Sequence, residues 1–224
     1  MRRQKTTPPG GHAVVYDALM WPLEQVLLGA WRRRIGARAG GRVLEIGAGT
    51  GSQLRWYAPG AVVTALEPDR AMAARARRRA ARAHAPVEIV IGSAEELPFA
   101  AGSFDTVVFT FAFCSVADTA KVLAELRRVL VPGGRLLMLE HVHLPWRPGR
   151  RLQSRAAPAW AAAAGGCRLD RDTVGLVRAA GLEVPDVRAH VLGWIVELLG
   201  CNPGPNDGDR DGGIGDASPL MASG

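Results

Sequence analysis

Val43-Leu44-Glu45-Ile46-Gly47-Ala48-Gly49-Thr50-Gly51 reads as a buried strand running straight into a turn that only glycines can make. Gly47 and Gly49 allow positive φ and carry no Cβ, so the backbone can press against a ligand. Gly51 is expected to open the next helix, whose free N–H groups favour a carboxylate or phosphate. A dinucleotide fingerprint requires G-x-G-x-x-G, but Ser52 stands where its third glycine should fall. No Gly-Lys-Ser/Thr follows, so the stretch is not a phosphate-binding P-loop either.

Working outward, Ala61-Val62-Val63-Thr64-Ala65-Leu66 reads as a second buried strand ending at Glu67. An acid about 20 residues beyond a glycine turn, at the tip of the second strand of a βαβ unit, is placed to accept hydrogen bonds from a ribose diol. Downstream come Gly92-Ser93-Ala94-Glu95-Glu96-Leu97-Pro98-Phe99, Ser103-Phe104-Asp105-Thr106-Val107-Val108, and Leu126 through Val131-Pro132-Gly133-Gly134-Arg135-Leu136-Leu137.

In that order, over roughly residues 41–142, these motifs resemble the class I S-adenosylmethionine-dependent methyltransferases. Phe113-Cys114-Ser115-Val116, Glu140-His141-Val142 and Gly166-Cys167-Arg168-Leu169-Asp170-Arg171-Asp172-Thr173 are similar to the thiol methyltransferase-like branch. The resemblance implies an α/β fold: a doubly wound, seven-stranded Rossmann-like sheet of order 3-2-1-4-5-7-6, strand 7 antiparallel, with helices on both faces. It implies S-adenosyl-L-methionine as cofactor. Glu45 and the loop at Gly47, Ala48 and Gly49 would hold its amino acid portion, with Gly51 also among the cofactor-binding residues; Glu67 would bind the ribose, Pro68 border the adenine, and Ser93, Ala94 and Glu95 line the adenine edge. Thr110, Phe111 and Ala112 would pass beneath the sulfonium. Many relatives carry Asp where Ser93 stands, so the usual carboxylate to the adenine amino group is missing. The chain also departs from animal members of the branch in lacking a hydrophobic N-terminal anchor, so membrane attachment does not carry over.

The 224 residues, 48% apolar, suffice for one α/β domain with a large core. The expected division is an N-terminal arm and cap helix over 1–36, the cofactor-binding domain over 37–200, and a disordered tail over 201–224, where bulky residues are scarce. No run approaches a membrane span and the N-terminus lacks a signal-peptide core, so a cytoplasmic location is expected, with peripheral membrane contact left open. The net charge of +7 comes almost entirely from arginine. Arg70, Arg75, Arg77, Arg78, Arg79 and Arg82, spaced by alanines without interleaved aromatics, predict a solvated helix face rather than a specific nucleic-acid site. Cys114, Cys167 and Cys201 have no paired spacing, so free thiols and no metal are expected.

Alternating periodicity predicts strands over 43–47, 61–66, 87–91, 105–111, 134–140, 183–189 and 191–198. Helices are expected over 15–36, 51–57, 69–84, 118–130 and 172–180, with Asp118 and Asp172 as N-caps. The partner is a small-molecule methyl acceptor, apolar and preferably a thiol; a phospholipid amine, a quinone-like ring, or a non-catalytic cofactor-binding module are the alternatives. His141 leaves strand five beside the cleft and is the candidate base, set against a role in merely tying down a loop. Tyr16, Cys114, Glu140, Arg171 and Trp194 are the candidate acceptor-pocket residues.

Overall fold

The computed structural model describes residues 28–163 and 166–204. Helix α1 (Gly29–Arg38) leads into β1 (Arg42–Ile46), followed by β2 (Val62–Leu66), α2 (Arg70–Ala80), β3 (Val87–Val90) and β4 (Phe104–Thr110). Then come α3 (Thr119–Val129), β5 (Leu130–His141), α4 (Arg147–Ala163), α5 (Thr173–Ala179), β6 (Glu183–His190) and β7 (Ile195–Cys201). The sheet order is β3-β2-β1-β4-β5-β7-β6, as the resemblance implies. Strands β1 to β5 pair in parallel, and β7 runs antiparallel to both β5 and β6.

The central strands are apolar because both of their faces are covered. On one face Leu44, Ile46, Val107 and Phe109 pack with Val122 and Leu126 of α3 and Val177 of α5. On the other, Val43, Val63, Val108 and Leu137 pack with Ile35 of α1 and Ala76 of α2. The Asp118 and Asp172 side chains accept from Lys121 N and Gly175 N, capping α3 and α5 as the sequence predicts, and Asp69 caps α2 through Ala71 N and Met72 N.

Three expectations need correction. The stretch 51–57 forms only a short 3₁₀ turn, Leu54–Trp56, so Gly51 opens no α-helix and supplies no helix N-terminus. Residues 147–163, given no element by the sequence reading, form a helix despite the internal Pro158. The domain does not end at residue 200: Cys201 pairs in β7, and the buried Asn202 side chain donates to the carbonyls of Arg127, Leu130 and Val131. Residues 1–27 and 205–224, which carry most of the expected cap helix and tail, lie outside the described residues.

Candidate active site

At the carboxyl end of β1 the chain reverses over β2: Gly47 N and Ala48 N both donate to Leu66 O, at 2.9 and 3.1 Å. Gly47, Gly49 and Gly51 all have positive φ, at +70°, +58° and +85°. Their surroundings differ. A Cβ on Gly47 would sit 2.4 Å from Ala112 Cβ, and one on Gly51 would sit 2.8 Å from Leu54 and 3.1 Å from Ala76. Those two glycines are demanded by the protein's own packing. A Cβ on Gly49 would meet nothing nearer than Met72 Sδ at 4.0 Å, so the open face of the turn lies there.

Glu67 reaches back from the tip of β2 and fixes this turn. Its carboxylate accepts from Gly49 N at 2.8 Å through one oxygen and from Asp69 N at 2.9 Å through the other. Each oxygen keeps a further acceptor site for a hydroxyl. Pro68, beside it, is exposed. The basic helix also contributes, contrary to a purely solvated face: Arg79 donates to Thr50 O, Thr50 Oγ1 and Ser52 Oγ.

Glu45 lies beneath the turn and is 1% exposed. Neither of its carboxylate oxygens has a donor in hydrogen-bonding geometry. Burial pushes its pKa to about 7, with the Tyr57 hydroxyl and then the Arg32 guanidinium opposing that rise. An unmatched, buried carboxylate under an open glycine cradle suits a ligand carrying an ammonium group.

Next to this, β4 delivers Thr110, whose Oγ1 accepts from Arg32 Nη1 of α1 at 3.1 Å. Phe111 then adopts φ +58°, strained for a side chain of its size. Glu140 holds the following turn: its carboxylate accepts from Ala112 N at 2.8 Å, Phe113 N at 2.9 Å and Cys114 N at 3.2 Å. Glu140 is fully buried, so it is a builder of the site rather than an acceptor-pocket residue. Arg171 is corrected likewise: its guanidinium donates to the carbonyls of Phe113 and Val116 and lies 5.6 Å over the Phe113 ring. Ser93 hydrogen-bonds the Glu95 carboxylate, which also accepts from Ala117 N at 3.2 Å, joining the Ser93-Ala94-Glu95 turn to the β4 loop. Burial raises the Glu95 pKa, but these bonds outweigh it and hold it below the usual carboxylate value.

His141 ends β5 between two rings, with Phe111 at 4.8 Å and Trp194 at 5.4 Å between centroids. Cys167, distant in sequence, arrives beneath it: its Sγ is 3.8 Å from His141 Nδ1 and 3.3 Å from Cys114 Sγ. Cys167 is the more acidic of the two thiols, lowered by its bond with Cys114 and then by His141; Cys114 is raised by Cys167, burial and the Glu140 charge. Spacing alone gives no hint of this pairing, because the two cysteines are 53 residues apart and meet only in the fold. Tyr16 lies outside the described residues.

Residues 44–138 match the family described as "Methyltransferase domain". Human thiol S-methyltransferase TMT1A is 30% identical to the chain over 200 residues, 82% of each protein. The chain belongs to the class I S-adenosylmethionine-dependent methyltransferases. Human thiol S-methyltransferase TMT1B is 39% identical over 141 residues, 60% of this chain and 58% of that protein. Demethylmenaquinone methyltransferase of Renibacterium salmoninarum is 38% identical over 138 residues, 58% of this chain and 56% of that one. The matched region thus spans less than two thirds of the length of these last two relatives. The fold of the Haloferax volcanii methyltransferase complex with its Trm112 activator superposes with a TM-score of 0.66 at 18% identity, covering 88% of this chain and all of that one. Class I methyltransferases use S-adenosylmethionine, and the Glu45 carboxylate, the Gly49 cradle and the spare acceptor sites of Glu67 fit its ammonium, backbone and ribose.

The two glycines should separate on substitution. Gly49→Ala adds a methyl to open space, so it should cost only about 1–2 kcal/mol of backbone strain while weakening S-adenosylmethionine binding at least about tenfold. Gly47→Ala must displace the 111–113 turn and should lower both thermal stability and affinity. Calorimetric titration beside thermal melts checks this; a Gly49→Ala protein with wild-type affinity would place the cofactor elsewhere.

Glu45 makes a second prediction. Its folded pKa of about 7 exceeds its ordinary value of 4.5, so the folded state holds a proton that the unfolded chain releases. Stability of the cofactor-free protein should therefore fall by about 3 kcal/mol as pH rises from 4.5 to 7 and then level off. Glu45→Gln should abolish that part of the slope in urea titrations at a series of pH values.

Proposed function

We propose that this methyltransferase alkylates a small apolar thiol. The observation that supports the reading is the composition of the wall beside the glycine turn. The His141 imidazole stands between Phe111 and Trp194 with the Cys114–Cys167 thiol pair beside it, while Glu67 and Glu140 accept from backbone N–H groups. A thiol, with an ordinary pKa near 8.5, needs little help to ionise, whereas a carbon nucleophile needs a strong base.

When bound, S-adenosylmethionine supplies an electrophilic methyl whose bond to the sulfonium breaks as the acceptor's S–C bond forms, the electron pair staying on the departing sulfur. The chain's own part is to hold and deprotonate. The glycine turn, Glu45 and Glu67 orient the cofactor; the aromatic rings exclude water and accept an apolar body; His141 takes the thiol proton and passes it to solvent. The thiol S-methyltransferases TMT1A and TMT1B among the relatives favour this reading. A quinone-like acceptor is the second reading, favoured by the 38% identity to a demethylmenaquinone methyltransferase. For location, the finding is that no helix among the described residues is long and apolar enough to cross a membrane; a cytoplasmic setting is part of the proposal.

An acceptor panel with labelled cofactor tests the reading: label should pass to alkyl thiols and not to amine lipids or demethylated quinones. Label on the quinones would establish the second reading, and binding without consumption would make the chain a cofactor-binding module. With an active thiol, His141→Ala should slow turnover about 10²–10⁴-fold at pH 7 and less near the thiol's own pKa. The same deficit at pH 7 and pH 9 would remove the base role.

A further inference from the structure

We propose that Cys114, Cys167 and His141 form a binding site for a thiophilic divalent metal ion, with zinc as the ion its donor set fits. Nothing in the sequence spacing announces it; the donors come from three separate segments. Cys114 follows β4 in the turn fixed by Glu140. His141 ends β5. Cys167 is brought in after α4, held by Arg168 N donating to Cys114 O at 2.9 Å and by Gln153 Nε2, which donates to Leu169 O at 2.8 Å and Val142 O at 3.0 Å.

The three candidate ligand atoms lie within 4.8 Å of one another. Zinc bonds of about 2.3 Å to sulfur and 2.0–2.1 Å to nitrogen place tetrahedral S···S and S···N edges near 3.8 and 3.6 Å. The observed Sγ···Sγ separation is 3.3 Å and the Cys167 Sγ···His141 Nδ1 separation 3.8 Å, so these two edges need adjustments of about 0.5 Å or less. Two thiolates and one imidazole balance the charge of a divalent ion and make a borderline-soft donor set that selects against magnesium and calcium. Cys114 and Cys167 are 1% and 7% exposed, while His141 is half-buried, so the site's remaining access is on the His141 side, flanked by Phe111 and Trp194.

Three protein ligands leave a fourth position of the kind that catalytic zinc sites keep open. A thiol entering there binds as its thiolate and releases its proton to solvent; His141 is a ligand in the zinc-loaded protein and can serve as base only in the metal-free protein. This last step rests on the thiol reading above; the metal site does not.

Cobalt and zinc titrations of the reduced full chain test the site. About one cobalt per chain should bind and give a sulfur-to-cobalt charge-transfer band, which zinc should bleach. Cys114→Ser, Cys167→Ser and His141→Ala should each weaken binding at least about 100-fold. Cys201→Ser, at the end of β7 away from the cluster, should leave it unchanged. In the unmodified chain, zinc should further slow the reaction of the buried Cys114 and Cys167 with a thiol reagent in mild denaturant, relative to metal-free protein, which decides the matter if a variant fails to fold. Absence of a charge-transfer band, a band insensitive to Cys114 and Cys167, or a Cys114–Cys167 disulfide that forms equally with and without zinc would overturn the site. Metal-free protein that methylates thiols at full rate would overturn the metal's part in catalysis while leaving the thiol reading intact. A zinc-loaded site without thiol turnover would support the site and remove the acceptor assignment.

Discussion

The Glu140 carboxylate, buried at the end of β5 and accepting the N–H groups of Ala112, Phe113 and Cys114, is the interaction on which the site depends. Burial favours its neutral form and these three bonds favour its charge. They also offset the strain of Phe111, whose positive φ swings the chain out of β4. The turn so fixed puts Ala112 against Gly47, Phe111 beside His141, and Cys114 where Cys167 can reach it. Hydrogen bonds to charged groups contribute about 1.5–3 kcal/mol each, against a backbone strain of about 1–3 kcal/mol and the burial of the carboxylate, which leaves its pKa raised overall.

Glu67 does the same on the other side of the glycine turn, binding Gly49 N and Asp69 N. The cleft is thus built from two buried carboxylates turned toward backbone, each at the tip of a parallel strand, with Gly47 between them. Arg171 and Arg79 complete the pattern with cations: one grips the carbonyls of the β4 turn, the other the glycine loop. Beneath the turn, neither carboxylate oxygen of the buried Glu45 has a hydrogen-bond donor in the described residues, and burial raises its pKa to about 7 against the opposing effects of Tyr57 and Arg32.

How much of this was legible in the sequence depends on how local the cause is. The parallel core strands show as apolar runs, since β1 and β2 are buried on both faces, and Asp118 and Asp172 stand immediately before the helices they cap. The strand order came through resemblance, because no spacing encodes which strand lies beside which. The stretch after Gly51 looks helical by composition, yet Gly51 itself has φ +85°, outside the helical region, and only the 3₁₀ turn Leu54–Trp56 follows. Helix α4 escaped notice because Gly149 and Pro158 weaken its pattern. Glu140 and Arg171 look like ligand contacts in the sequence because a charged residue beside a cleft does so until its backbone partners are visible. The meeting of Cys114, His141 and Cys167 is tertiary from the outset, and only the fold could disclose it.

We propose that the buried Glu140 carboxylate, by shaping the β4 turn, organises the cofactor cleft without touching the ligand. The most direct measurement is calorimetric titration of Glu140→Gln with S-adenosylmethionine, with its fold checked by circular dichroism. Glutamine keeps the size but turns an amide N–H₂ toward backbone donors, so the 111–114 turn should relax and press on Gly47. The account predicts a folded protein whose affinity falls at least about tenfold, a loss of about 1.4 kcal/mol or more. A folded Glu140→Gln protein that binds the cofactor as the wild type does would contradict it.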